Sequence, residues 1–195
     1  VFMGMGEPLL NRNNVLKAAE IFNKDYNISS RRITISTSGI IEGIKFLADN
    51  DLKYVLAISL HGSRNDLRDF LVPINKAKNL EKLIEIVKYY QIKTRKRITF
   101  EYIMIDKLNI SKRDAVELSE LLKGIDCHIN GIPINTVPGT DFIRPSRNKI
   151  YTFKNWCQES GLSFSIREEK GLEIDGACGQ LRNKKRGSNE SSCSM

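Results

Sequence analysis

The 195-residue sequence lacks any apolar run long enough to cross a membrane. Its longest, around Val55 to Leu60, falls far short of the ~20 residues a spanning helix needs. Paired cysteines are missing too. Cys127, Cys157, Cys178 and Cys193 show neither a CxxC pair nor zinc-like spacing, which argues against a metal cluster among them. No basic region or small-residue cleavage site follows Val1, so no signal peptide is read there. A chain that opens on valine inside an apolar segment is expected to have lost its true start. These absences together lead us to expect a cytoplasmic protein with reduced thiols and no membrane partner. There is no internal repeat.

What is present suits one domain with a real core: 41% of residues are hydrophobic and 28% charged. The net charge of +8 favours a polyanionic partner such as a nucleic acid.

Short β-branched runs alternate with helical patterns. Strands are expected at Val1–Met5, Arg32–Thr37, Tyr54–Leu60, Ile98–Ile105, His128–Ile134 and Ser163–Arg167. Amphipathic helices are expected at Asn14–Asn23, Ile41–Asp49, Leu80–Tyr90, Lys112–Leu122 and Asn148–Ser160. Such alternation implies an α/β fold of parallel strands joined by helical crossovers. The strands read as continuous apolar runs, as if both sheet faces were covered. Polar or small residues gather just past the strand ends, at Gly6-Glu7-Pro8, Ser36-Thr37-Ser38-Gly39, Ser59-Leu60-His61-Gly62, Asp106 and Asn135. One ring of such ends suits a partial (β/α) barrel, truncated at its N-terminus, better than a doubly wound sheet. The barrel core is expected over residues 1–182, with a basic, serine-rich, disordered tail over 183–195.

Each strand-end segment has a plain reading beside a chemical one. Gly6 and Glu7 could seat an ammonium group between backbone carbonyls and a carboxylate, or form a turn with a solvated glutamate. The Ser36–Gly39 segment could offer hydroxyls and amides to an anion, or cap a helix. His61 could bind a ligand, move a proton, or close its strand. Asn135 could be a ligand contact or a turn residue. Cys178, flanked by small residues in Gly176-Ala177-Cys178-Gly179, is a candidate nucleophile if its thiol is acidified, and otherwise a packed thiol. Cys127 and Cys157 lie in core patterns and are read as inert.

Taken together, FMGMGEPLLN (Phe2–Asn11), RRITISTSGI (Arg31–Ile40), LAISLHG (Leu56–Gly62), LVPIN (Leu71–Asn75), FEYIMI (Phe100–Ile105), IPIN (Ile132–Asn135) and GLEIDGACGQLR (Gly171–Arg182) resemble the RlmN/Cfr family of radical S-adenosylmethionine (SAM) RNA methyltransferases. The resemblance implies that Gly6 and Glu7 hold the methionine ammonium of SAM. Ser36, the Ser59-Leu60-His61 segment and Asn135 would complete its site. Cys178 matches the cysteine that carries the methyl group to adenine. The resemblance also implies a 4Fe–4S cluster, whose CxxxCxxC ligands are expected ahead of Val1, and an electron donor to reduce it. Ribosomal RNA and transfer RNA would be the substrates of a monomeric enzyme. Carbon 2 of adenine is the expected target. Alternatives are carbon 8, a non-catalytic RNA-binding remnant, or a phosphate-binding barrel lyase or isomerase, which the lack of a strand-end lysine weakens.

Overall fold

The computed structural model describes residues 1–135 and 140–167, and the structural statements below concern those. Five parallel strands form one sheet in sequential order: β1 (Thr34–Thr37), β2 (Val55–Ser59), β3 (Ile98–Met104), β4 (Cys127–Pro133) and β5 (Phe164–Ile166). Each parallel step needs a crossover, and helices supply it. The helices are α1 (Arg12–Lys24), α2 (Ile41–Asp49), α3 (Asn65–Leu71), α4 (Leu80–Thr94), α5 (Lys112–Leu121) and α6 (Arg147–Glu159).

The helices start where the chain offers caps. The Asn79 side chain accepts from the Lys82 amide at the head of α4, and Ser111 with Asp114 forms a reciprocal capping box on α5. In α4, Leu80, Leu83, Ile84, Val87 and Tyr90 recur every three or four residues and are buried as one stripe against the sheet and α2.

The strand register separates two unlike faces. Ile35, Leu56, Ile58, Phe100, Tyr102, Met104 and Ile129 share the face covered by helices. Tyr102 stacks on Phe153 of α6 at 5.6 Å, and Phe153 meets Phe164 edge-on at 5.8 Å. Gly131 makes that cluster possible, because a Cβ there would lie 2.5 Å from the Phe164 ring. The opposite face carries Ser36, Ser59, Thr99, Glu101, His128 and Asn130, in register across the strands. Both faces were expected to be apolar. The inner face corrects that reading: Ser36, Ser59 and Glu101 line an open cleft there rather than packing beneath a second helical layer.

Two further elements differ from expectation. Val1–Met5 does not form a strand; only Phe2 bridges Ile35 in parallel, with its amide donating to the Thr34 carbonyl and its carbonyl accepting from the Ser36 amide. Gly4 and Gly6, at φ of +120° and +92°, turn the backbone out of extended geometry immediately afterwards. The seven-residue α3 was not anticipated. The Gly171–Arg182 stretch with Cys178, and the 183–195 tail, lie outside the described residues.

Candidate functional site

A cleft of about 1250 Å³ opens at the carboxyl ends of the strands. That end of a parallel sheet collects loops whose residues converge from several strands, which is where ligand sites form. Gly6 and Glu7 line it on the loop before α1, Ser36 on β1, Ser59 at the end of β2, His61 just after it, and Asn135 after β4. Six residues far apart in sequence therefore meet in one place. Leu60 differs: its side chain is fully buried in the core, and its amide donates to the Glu101 carbonyl. Asp106 is also drawn elsewhere, held by the Lys149 ammonium at 2.7 Å, which keeps its carboxyl below the usual range.

Glu7 is tied to the next strand's loop. One carboxylate oxygen accepts from the Leu9 amide at 3.0 Å; the other accepts from the Ser38 amide at 2.8 Å and the Ser38 hydroxyl at 2.7 Å. The serine-rich loop thus does present donors to an anion, and that anion is the protein's own. A carboxylate has about four acceptor sites, so three internal bonds leave room for one more donor from the cleft. Within the same loop, Thr37 Oγ1 accepts from the Gly39 and Ile40 amides at 3.1 and 3.3 Å and leads into α2. The segment does not cap α2 by a side chain, since the N-cap is Ile40; Thr37 instead closes the turn ahead of the helix, and the Ser38 donors are taken up by Glu7.

His61 adopts a left-handed φ of +60°. Its Nδ1 accepts from the Ile103 amide at 3.1 Å, and burial, helped by the nearby Arg68 charge, lowers its pKa to about 4. A neutral ring that accepts at Nδ1 carries its proton on Nε2. His61 is therefore a fixed donor at the cleft wall, unsuited to proton shuttling near neutral pH. Asn109, fully buried, fastens this corner: its side chain donates to the carbonyls of His61 and Ile103 and accepts from the Ile105 amide.

Asn135 Oδ1 accepts from Arg144 at 3.2 Å, which orients the amide. Sequence reasoning passed over Glu101 and Arg167 as cleft residues. Glu101 is only 6% exposed yet lines the cleft floor, accepting from Asn130 Nδ2 at 3.0 Å. Burial raises its pKa, against the pull of Arg167 and Asn130. A charged residue amid the apolar Ile98–Met104 run was the signal that could have exposed it. Arg167, beyond β5, reaches Met3 Sδ at 3.8 Å and closes the cleft from the far edge.

The profile of the radical SAM superfamily matches residues 1–119. The chain belongs to the radical SAM superfamily. Its similarity to individual proteins runs further along the sequence. It is 47% identical over 184 residues to the "Probable dual-specificity RNA methyltransferase RlmN" of Syntrophomonas wolfei, covering 93% of this chain and 52% of that protein. It is 45% identical over 188 residues to the protein of the same name from Staphylococcus aureus strain JH9, covering 95% and 52%. A crystal structure of a radical SAM methyltransferase from Sphaerobacter thermophilus superposes with a TM-score of 0.87 at 40% identity, covering 91% of this chain and 53% of that one. The chain thus spans about half the length of the relatives it matches.

A radical SAM protein implies two groups, SAM and a 4Fe–4S cluster. The cleft suits the first: it offers the Glu7 carboxylate for an ammonium, a fixed His61 N–H, the hydroxyls of Ser36 and Ser59, the Asn135 amide and a buried carboxylate at its floor. The described residues do not suit the second, because no three His, Cys, Asp or Glu side chains among them converge. Cys127 and Cys157 are buried, and burial pushes their thiols up to about 11 and about 12. No described helix is long and apolar enough to cross a membrane.

Proposed function

We propose that this chain forms the SAM-binding part of an RNA methyltransferase that adds a methyl group to carbon 2 of adenine in ribosomal and transfer RNA. The observation carrying the reading is the convergence of Gly6, Glu7, Ser36, Ser59, His61 and Asn135 on one cleft at the strand ends. The names of the relatives, dual-specificity RNA methyltransferases, support the reaction class and the substrate, as does the basic charge. The target carbon supports a route through Cys178. An amidine carbon is electrophilic, so it does not attack the methyl of a sulfonium, and a carrier must hold the methyl first.

In this scheme Glu7 accepts from the methionine ammonium with its remaining lone pair. Ser36, Ser59, His61 and Asn135 fix the rest of the molecule by hydrogen bonds. The Cys178 thiolate then attacks the sulfonium methyl; the new carbon–sulfur bond forms as the old one breaks, and S-adenosylhomocysteine leaves. A 4Fe–4S cluster, when bound, supplies the electron for reductive SAM cleavage; nothing proposed for these residues is routed through it.

The test is mass spectrometry of the purified full-length protein together with Cys178→Ala. One extra methyl group is expected on the peptide containing Cys178. The variant should bind SAM normally and leave RNA unmethylated. Methylated RNA from the variant, or the methyl on Cys127, Cys157 or Cys193, contradicts the proposal.

A further inference from the structure

Among the described residues, Arg68 carries a buried side-chain polar atom with no hydrogen-bond partner. It lies on α3 and is 1% exposed; the Asp69 charge is near enough to act on it, but none of its hydrogen-bond acceptors is a carboxylate. All its acceptors are neutral. Nη1 donates to Asn75 Oδ1 at 2.7 Å; Nη2 donates to the Ser38 carbonyl at 2.6 Å and the Ser59 carbonyl at 3.2 Å. Its Nε is buried without a partner. Burying a guanidinium in this way costs several kcal/mol on the scale of desolvated ions, and an apolar side chain of similar volume would fill the space more cheaply. Packing alone therefore does not account for an arginine here.

The two carbonyls show what it does. Ser38 follows β1 and Ser59 ends the adjacent β2, and both line the cleft. Ser38 is gripped from two sides: its carbonyl by Arg68, its amide and hydroxyl by Glu7. Ser59 leads into the Leu60-His61 turn. The guanidinium thus spans, from behind, the loops that carry Glu7's anchor and His61. Its own position is fixed in turn, because Asn75 Nδ2 donates to Asn65 and Asp69, and Asn65 caps α4 at the Leu80 amide. Gly39 leaves the opening: at φ +106°, a Cβ there would lie 3.1 Å from Nη2.

We propose that Arg68 is a positioning residue that holds the two loops of the SAM seat in register, an inference that rests on the cleft being that seat. A lysine would not substitute. Its ammonium is a point charge, whereas the planar fork reaches both carbonyls and Asn75 at once.

The experiment uses full-length protein with SAM as the calorimetric probe. Arg68→Lys and Arg68→Met are compared with Glu7→Ala and Asn135→Ala, and affinity for ribosomal RNA and the unfolding midpoint are measured for each. Both Arg68 variants should weaken SAM binding by roughly tenfold to a hundredfold, as for one charge-assisted hydrogen bond, with RNA affinity unchanged. Should Arg68→Met fail to fold, the lysine variant decides alone. SAM affinity within about twofold of the parent, an ordinary experimental scatter, in a folded Arg68→Lys protein overturns the proposal if the Glu7 and Asn135 variants have lost binding. Equal losses for SAM and RNA overturn it too, because they indicate general disorder. If Glu7→Ala and Asn135→Ala bind normally, the seat itself is misplaced and the proposal falls with it.

Discussion

Gly43→Ala tests how tightly the cleft is braced from below. Gly43 lies in the first turn of α2, where that helix packs closely against Leu9. A Cβ added there would sit 2.6 Å from Leu9 Cβ, 3.0 Å from Cδ1 and 3.1 Å from Cγ. Carbon pairs prefer about 3.5–4.0 Å, so one of the two segments must retreat by about 1 Å. Two effects oppose each other. Alanine is better than glycine in a helix interior by about 1 kcal/mol, whereas overpacking a filled core costs about 1–3 kcal/mol. Overpacking should win, because the nearest atom is Leu9 Cβ, which moves only with its backbone, and that backbone donates to Glu7 at 3.0 Å. The expected outcome is a net loss of about 1 kcal/mol in chemical denaturation, together with weaker SAM binding as the Glu7 carboxylate shifts. A variant stabilised by about 1 kcal/mol, the full helix-propensity gain, with unchanged SAM affinity would refute the reasoning.

Asn109→Ala should cost about 3 kcal/mol or more, because it leaves the His61 and Ile103 carbonyls and the Ile105 amide without their partner in a buried corner; a loss under about 1 kcal/mol, the worth of one ordinary hydrogen bond, would show that water or relaxation satisfies them. His61 predicts a pH dependence. Its folded pKa of about 4 lies below the ordinary 6.5, so the unfolded chain takes up a proton first as pH falls, and stability declines from about pH 6.5 to about 4. His61→Asn keeps an acceptor for the Ile103 amide and should flatten that part of the denaturation profile; identical profiles for parent and variant would contradict the assignment. Cys127 and Cys157, with thiols pushed up to about 11 and about 12, should resist iodoacetamide in the folded protein at pH 8, and rapid labelling of either would place it outside the core.

The strands and most helices were legible because their signals are local. Val55–Ser59 and Ile98–Met104 are β-branched and aromatic runs, and α4 and α5 have both period and caps. The candidate residues Gly6, Glu7, Ser36, Ser59, His61 and Asn135 stood out through their place at or just past expected strand ends, and they do share one cleft. What stayed hidden depends on distance in sequence. Glu7 reads as a free carboxylate until Ser38, thirty-one residues on, is found holding it. Arg68 sits in a seven-residue helix too short to show a period, and its partners are carbonyls, which every residue has. The polar inner face was missed because β2 and β3 alternate only partly: Ala57 and Ile103 are apolar residues on that face, and Glu101, the one charge in its run, was passed over. Phe2 fooled the pattern in the other direction, since the glycines that follow it allow one bridge and no strand.

The most direct measurement is a crystal structure of the full-length protein with SAM. The expected density lies in the strand-end cleft, with the methionine ammonium within hydrogen-bonding distance of Glu7 and the remaining polar atoms met by Ser36, Ser59, His61 and Asn135. SAM bound elsewhere, or this cleft empty at saturating SAM, would contradict the assignment.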